Sequence, residues 1–291
     1  MSQPSPDSLP KLRRPVLLAA FGGWNDAADA ASAAVEHLSL TWEATQVYDI
    51  DPDDYYDYQS SRPMVHMNGG VTRRLEWPST GISYCRVPKA DRDLILVLGH
   101  EPNLRWRTFC QEIVDVALAL DVEIVVTLGS LLADIPHTRP VPISGSAHTA
   151  DAAKRYGLEQ SKYEGPTGIT GVLQDAFIQA GVPAVALWAS VPHYIGHPPN
   201  PKATLALLDR LGSLLDLTVP VGVLPDQARQ WEEAITEMTS EDEDMAGYVR
   251  ELEDREDADA EPSDELTEVD GDTLAAEFER YLRRRGGATD A

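Results

Sequence analysis

The run Val16-Leu-Leu-Ala-Ala-Phe-Gly-Gly-Trp-Asn-Asp-Ala-Ala-Asp-Ala-Ala-Ser32 constrains the fold more than any other stretch of this chain. Val16 to Phe21 is short, apolar and bounded by turn residues, the pattern of a strand buried on both faces. Gly22 and Gly23 break it, since glycine enters a tight turn at positive φ without steric cost. Asn25 or Asp26 then offers a side-chain oxygen to the free N–H groups of a following helix. Ala27, Ala28, Ala30, Ala31, Ala33 and Ala34 favour that helix and let its backbone lie close to its support. A strand, turn and helix in this order begin an α/β fold. Such a helix start is an anion site when its donors are free. Asp26 and Asp29 stand in its first turn and compete for the same donors.

The alternation continues down the chain. Residues up to about Arg14 read as a flexible lead. Glu43–Ile50 alternates as a second strand, and Pro63 ends a segment with Tyr55, Tyr56 and Tyr58 among aspartates. Thr72–Trp77 and Gly81–Val87 read as strands of an antiparallel insertion. Asp93–Gly99 is a clean buried strand, followed by His100-Glu101-Pro102 and a helix from about Arg105 to Leu120. Glu123–Gly129 is another strand, and Ser130–Pro142 a long loop. Gly165–Gly171 opens a helix to Ala180, Ala184–Ser190 is a strand ending at Val191-Pro-His-Tyr194, and Pro201 starts a helix to about Leu217. The expected architecture is a mixed, mostly parallel sheet flanked by helices on both faces, over residues 15–222.

From 223 onward the character changes to a C-terminal helical extension. Ala228, Trp231, Ile235 and Met238 share one helical face, which Met245, Tyr248, Val249 and Leu252 continue. Asp254–Asp270 reads as an acidic linker, and Asp272 caps a last helix with Leu274, Phe278 and Leu282 on one side. These faces need cover from the main domain or a neighbouring subunit. Between Glu232 and Asp270 about eighteen acidic residues stand against two arginines, so most of the net charge of −24 belongs to this segment and not to the fold. That sign excludes nucleic acid and anionic membrane as partners. No run approaches the ~18 apolar residues of a membrane span, and no signal peptide is visible. Cys85 and Cys110 form no CxxC, which points to a reduced, cytoplasmic protein.

Ligands of doubly wound sheets gather at the C-terminal ends of the strands. Those ends carry Asn25, Asp26, His100, Glu101, Ser130, His193 and Tyr194, with His137 and Arg139 in the long loop. If they converge, they suit general acid/base work on a small polar ligand. Otherwise they cap helices and tie down loops. Gly165, Gly168 and Gly171 spell GxxGxxG, neither the dinucleotide fingerprint nor a P-loop, although Thr167 and Gly168 at a helix start can cradle an oxyanion. His193 and His197 flank Gly196 and precede Pro198, so they do not form a helical metal pair. No metal or other cofactor is expected.

Several blocks in order carry a family resemblance: Gly23-Trp-Asn-Asp-Ala-Ala-Asp-Ala-Ala31, Asp57-Tyr58 with Arg62-Pro63, Glu101-Pro102 with Trp106, Pro136-His-Thr-Arg-Pro-Val-Pro142, Gly165-Pro-Thr-Gly-Ile-Thr-Gly171 and Val191-Pro-His-Tyr194. From Val16 to Leu217 the chain resembles the PAC2 family, named for a proteasome assembly chaperone. Glu277-Phe-Glu-Arg-Tyr-Leu282 is similar to its bacterial branch. The resemblance implies a fold akin to nucleoside phosphorylases, subunits that self-associate, and a chaperone role in the best-understood members. It brings no agreed catalytic residues. Relatives that dock on proteasome rings can end in a hydrophobic–Tyr–any tripeptide, whereas the last residues here are Gly287-Ala-Thr-Asp-Ala291. The first expectation is a self-associating chaperone-like or scaffold protein, a homo-oligomer and specifically a trimer, with proteasome subunits as partners by a route other than the absent tripeptide. The alternative is a small-molecule enzyme, a phosphorylase or hydrolase of nucleoside-like compounds, using the strand-end pocket.

Overall fold

The computed structural model describes residues 9–68, 72–195 and 199–260. Strand β1, Val16–Gly22, is fully buried through Phe21 because parallel strands cover both its edges and helices both its faces. Its alternate side chains serve two cores. Val16, Leu18 and Ala20 enter one layer, and Leu17, Ala19 and Phe21 enter the other. Each large side chain so buried contributes about 1.5–3 kcal/mol. A register slip of one residue would exchange the two sets.

The main sheet has eight strands: β1; β2, Thr45–Ile50; β5, Thr80–Cys85; β6, Leu94–His100; β7, Ile124–Ala133; β8, Ile143–Ala147; β9, Glu159–Gln160; and β10, Ala184–Pro192. Their order is β2-β5-β6-β1-β7-β10-β8-β9. The central β6, β1, β7 and β10 run parallel, while β5 and β8 join antiparallel on either side. Helices α1, Ala30–Thr41, α3, Ala150–Tyr156, and α5, Pro201–Leu215, cover one face. Helices α2, Trp106–Ala119, and α4, Ile169–Gln179, cover the other.

Two sequence expectations about the strands are corrected, and one strand is added. Thr72–Trp77 does not pair with the next strand: β4, Thr72–Glu76, pairs with β3, Met64–Asn68, as a separate hairpin, and β5 enters the main sheet between β2 and β6. The long loop begins later than Ser130, because β7 runs on to Ala133 beside the full length of β10. Strand β8, Ile-Ser-Gly-Ser-Ala, escaped notice because small polar residues give it no apolar alternation.

The extension folds back as α6, Leu224–Ser240, and α7, Glu243–Ala260. Helix α6 packs against α5, and α7 against α6. Helix α7 therefore occupies the start of the stretch read as an acidic linker. The helix expected after Asp272 and the block Glu277–Leu282 lie outside the described residues. At the other end, Arg13 is tied to the buried Asp93 by its backbone N–H and its guanidinium, at 2.9 Å and 2.5 Å. The lead is thus fastened before β1 starts.

Candidate functional site

The turn after β1 is a self-contained capping device. Gly23 takes φ +117°, and Ala28 and Asp29 both adopt left-handed geometry at φ 54°, which costs about 1–2 kcal/mol per non-glycine residue. Neighbours hold them there. The Asn200 N–H donates to the Ala28 carbonyl at 3.1 Å, and Ser130 Oγ donates to the Ala27 carbonyl at 2.9 Å. Asp29 is the residue before α1, yet its side chain caps nothing. Asp26 does the capping from below. Its carboxylate accepts from the N–H groups of Ala31 at 2.7 Å and Ser32 at 3.2 Å, from the Ser32 hydroxyl, and from Ser130 Oγ at 3.1 Å. Burial pushes its pKa up and those donors pull it back, leaving it above the ordinary aspartate value. The donors an anion would need are already used.

Asn25 and Glu101 form a second bridge. Glu101 Oε1 accepts from Asn25 Nδ2 at 2.8 Å and from the Ile169 N–H at 2.9 Å, and Asn25 Oδ1 accepts from Thr170 Oγ1 at 3.2 Å. Gly168, the residue before α4, has no side chain to cap with, so a carboxylate from the end of β6 fills that role. Gly168 is glycine for want of space: a Cβ there would lie 2.2 Å from Asn25 Oδ1. His100 is exposed, and its carbonyl accepts from Tyr56 Oη at 2.8 Å.

His137 and Arg139 clamp the extension. His137 is buried, with Nδ1 2.8 Å from Tyr194 Oη and Nε2 3.0 Å from Thr236 Oγ1 of α6. Thr236 Oγ1 spends its proton on the Glu232 carbonyl at 2.8 Å and so accepts from Nε2–H, which leaves Nδ1 to accept from Tyr194 Oη, itself an acceptor for the His137 N–H. Burial, then the nearby Lys202 ammonium, push His137 below its ordinary pKa and favour this neutral form. Lys202 Nζ donates to the His137 carbonyl at 2.6 Å and to Glu232 of α6 at 2.5 Å. Arg139 makes a forked pair with Asp257 of α7, at 2.7 and 2.6 Å, and reaches Glu253 at 3.4 Å. His193 Nδ1 lies 3.1 Å from Asp134, and its ring meets Tyr194 and Tyr248 edge to face. These contacts on α6 and α7 were missed in sequence, because Thr236, Glu253 and Asp257 look like ordinary helix-surface residues.

Three of the ten candidates line one cavity together. It has a volume of about 250 Å³ and lies between β8, β10 and the start of α4, and Asn25, Thr167 and Gly168 are in its wall. His148, Gln174, Tyr163 and Trp188 line it as well, and Gln174 ties His148 to Thr127 through its amide. Asp26, His100, Glu101, His137, Arg139, Gly165 and His193 are not among its lining residues. Both cysteines are buried and burial pushes each thiol up to about 12, which keeps them protonated and unreactive. Among the described residues no group of three or more His, Cys, Asp or Glu is placed to hold a metal, and no helix is long and apolar enough to cross a membrane.

Comparison with known proteins places this geometry in a lineage. The PAC2 family signature matches residues 20–239. A Mycobacterium tuberculosis structure described as the proteasome-assembly chaperone homologue Rv2125 is 56% identical; the match covers 80% of this chain and 99% of that one, with a TM-score of 0.73. A PAC2 family protein from Streptomyces avermitilis is 53% identical over 81% of this chain and 99% of its own, with a TM-score of 0.75. Pyrococcus furiosus PbaB, described as an archaeal proteasome activator, is 17% identical over 79% of this chain and 96% of its own at a TM-score of 0.63, a likeness of fold alone. A search among curated proteins matched nothing. The motif blocks, the sheet order and these matches agree, and the chain belongs to the PAC2 family.

Proposed function

We propose that this protein is a self-associating, chaperone-like assembly factor of the cytoplasm, with an α/β domain over residues 15–222 and a helical extension from 223. The observation that carries this reading is the use made of the polar motif residues. Asp26, Glu101, His137 and Arg139, the groups best suited to chemistry, are engaged in capping helices and holding α6 and α7 in place. What the fold then presents is surface. The Mycobacterium tuberculosis relative, described as a proteasome-assembly chaperone homologue, supports proteasome subunits as the partner class. A homotrimer is the assembly proposed. Light scattering on the full chain, with pull-down against α-type proteasome subunits, tests both halves. A mass near 31.9 kDa at micromolar concentration refutes self-association, and no retention of α-type subunits refutes the partner.

One observation favours a second reading. The 250 Å³ cavity lies where parallel sheets receive ligands and has both aromatic and hydrogen-bonding walls. A small nucleoside-like compound is the ligand class for that reading. Millimolar inorganic phosphate or a nucleoside should then raise the melting temperature by mass action, and no shift with either removes the enzyme alternative.

A further inference from the structure

The hairpin of β3 and β4 is the most exposed apolar element of the described chain. Cross-strand pairing sets Val65 opposite Leu75 and Met67 opposite Arg73, so these four share one face. Val65, Met67 and Leu75 are 51%, 54% and 55% exposed, and Trp77, just beyond the strand, is 46% exposed. The other face carries the His66–Glu76 pair. A two-stranded ribbon outside the main sheet has no core of its own, and an apolar face left in water on it marks an interaction surface.

Its charge identifies what covers it. Residues Arg62 to Trp77 hold three arginines and one glutamate in a chain of net charge −24. Arg62, Arg73 and Arg74 have no carboxylate partner among the described residues, unlike Arg13, Arg14, Arg105 and Arg139. The complementary surface is on α6. There Glu233 and Glu237, with Glu241 just past the end of the helix, form an exposed row at four-residue spacing, beside exposed Ala234 and Met238. Among the described residues both surfaces are exposed, so neither covers the other within one molecule.

We propose that the β3–β4 hairpin of one subunit docks on the outer face of α6 of a second copy, its apolar face on Ala234 and Met238 and its arginines on the glutamate row. The contact joins two different patches, so it is head-to-tail and each subunit keeps one free half to bind the next; closure of the rotation makes a ring. This rests on the self-association proposed above and adds where it occurs.

The test uses the full chain and light scattering, with circular dichroism confirming the fold of each variant. Leu75→Asp with Arg73→Glu removes the hairpin half, and Glu237→Arg with Met238→Asp removes the α6 half; all four positions are exposed, so the fold should survive. Each double variant alone should fall to the monomer mass, and mixing the two should give a dimer, because each supplies the half the other lacks. Raised salt should weaken the wild-type assembly. If the wild type is itself a monomer, self-association fails and the docking with it. If the wild type assembles and both variants keep its mass, self-association stands and the docking is overturned. Assembly unchanged but α-type subunits lost from the hairpin variant would assign the hairpin to a different partner and also overturn it.

Discussion

Asp26 and Asp257 are both aspartates that hold a helix, and they do it in opposite surroundings. Asp26 is 4% exposed, has no cation beside it among the described residues and accepts from hydroxyls and backbone N–H groups under α1. Asp257 lies on the open side of α7 and is held by the Arg139 guanidinium. The first sits inside the α/β core, where loss of a partner leaves buried groups with nothing to bond. The second fastens an outer layer, where water replaces whatever is lost. The same residue type is therefore a structural keystone in one region and a reversible latch in the other.

The largest effect should come from breaking the buried side. Asp26→Ala strips the Ala31 and Ser32 N–H groups of their acceptor, while the Ser32 and Ser130 hydroxyls keep backbone carbonyls, and each buried donor left unmet costs about 1–3 kcal/mol before relaxation. A total loss of about 2–4 kcal/mol in urea unfolding is expected, at the upper end of single substitutions. A loss under about 0.5 kcal/mol, the level of an ordinary surface change, would remove Asp26 from its structural role.

Glycine substitutions sharpen the same contrast. Gly168→Ala drives a methyl group to 2.2 Å from Asn25 Oδ1, in a buried network that joins β1, β6 and α4. Overpacking of this kind costs about 1–3 kcal/mol. Gly247→Ala, inside α7, meets nothing within 4 Å. There the change should stabilise the helix by about 0.5–1 kcal/mol, since glycine is a poor helix former. Equal signs for the two substitutions would contradict the division drawn between core and outer layer.

A smaller and more local effect belongs to Arg139→Ala. Losing the fork to Asp257 and the contact with Glu253 frees α7 without opening the sheet. Hydrogen exchange should quicken across Glu243–Ala260 while the global melting temperature hardly moves. Arg139→Lys should not restore protection fully, since an ammonium lacks the two-pronged geometry. Uniform loss of protection over the whole chain would mean that α7 and the sheet unfold as one unit.

How far all this was visible in the residues differs between the two regions. The β1 turn was legible because a continuous apolar run, a glycine pair and an alanine helix are local signals. Even there Asp26, and not Asn25, caps α1; Asn25 points across the sheet to Glu101 and Thr170, contacts set by long-range geometry. The same limit hid the purpose of Pro136–Pro142. His137 and Arg139 were readable as polar residues near strand ends, but their partners lie roughly a hundred positions on, at Thr236 and Asp257. Nothing local distinguishes a carboxylate that pairs with Arg139 from the acidic residues around it. The hairpin pairing failed for a related reason. Thr72–Glu76 and Thr80–Cys85 are neighbours in sequence, and only the free edge of β6 explains why the second leaves the first.

Acid titration offers the finest separation of the two aspartates, because their linkage runs in opposite directions. Burial leaves Asp26 with a folded pKa above its unfolded value near 3.8. Its protonated form therefore fits the fold better, and its contribution is full below the unfolded pKa and declines as pH rises through the folded one. Asp257 is the reverse: the bond to Arg139 lowers its folded pKa below 3.8. Its contribution is present above the unfolded pKa and is lost as pH falls through the folded value. Asp26→Asn should accordingly cost more stability below pH 3.8 than at neutral pH. Arg139→Ala should cost local protection of α7 at neutral pH and almost none in strong acid, where the wild-type latch is already open. Exchange measured on both variants at the two pH extremes tests this directly. Two costs that rise together with pH would mean that Asp26 is held as a paired carboxylate like Asp257, and that the buried and exposed regions obey the same electrostatics after all.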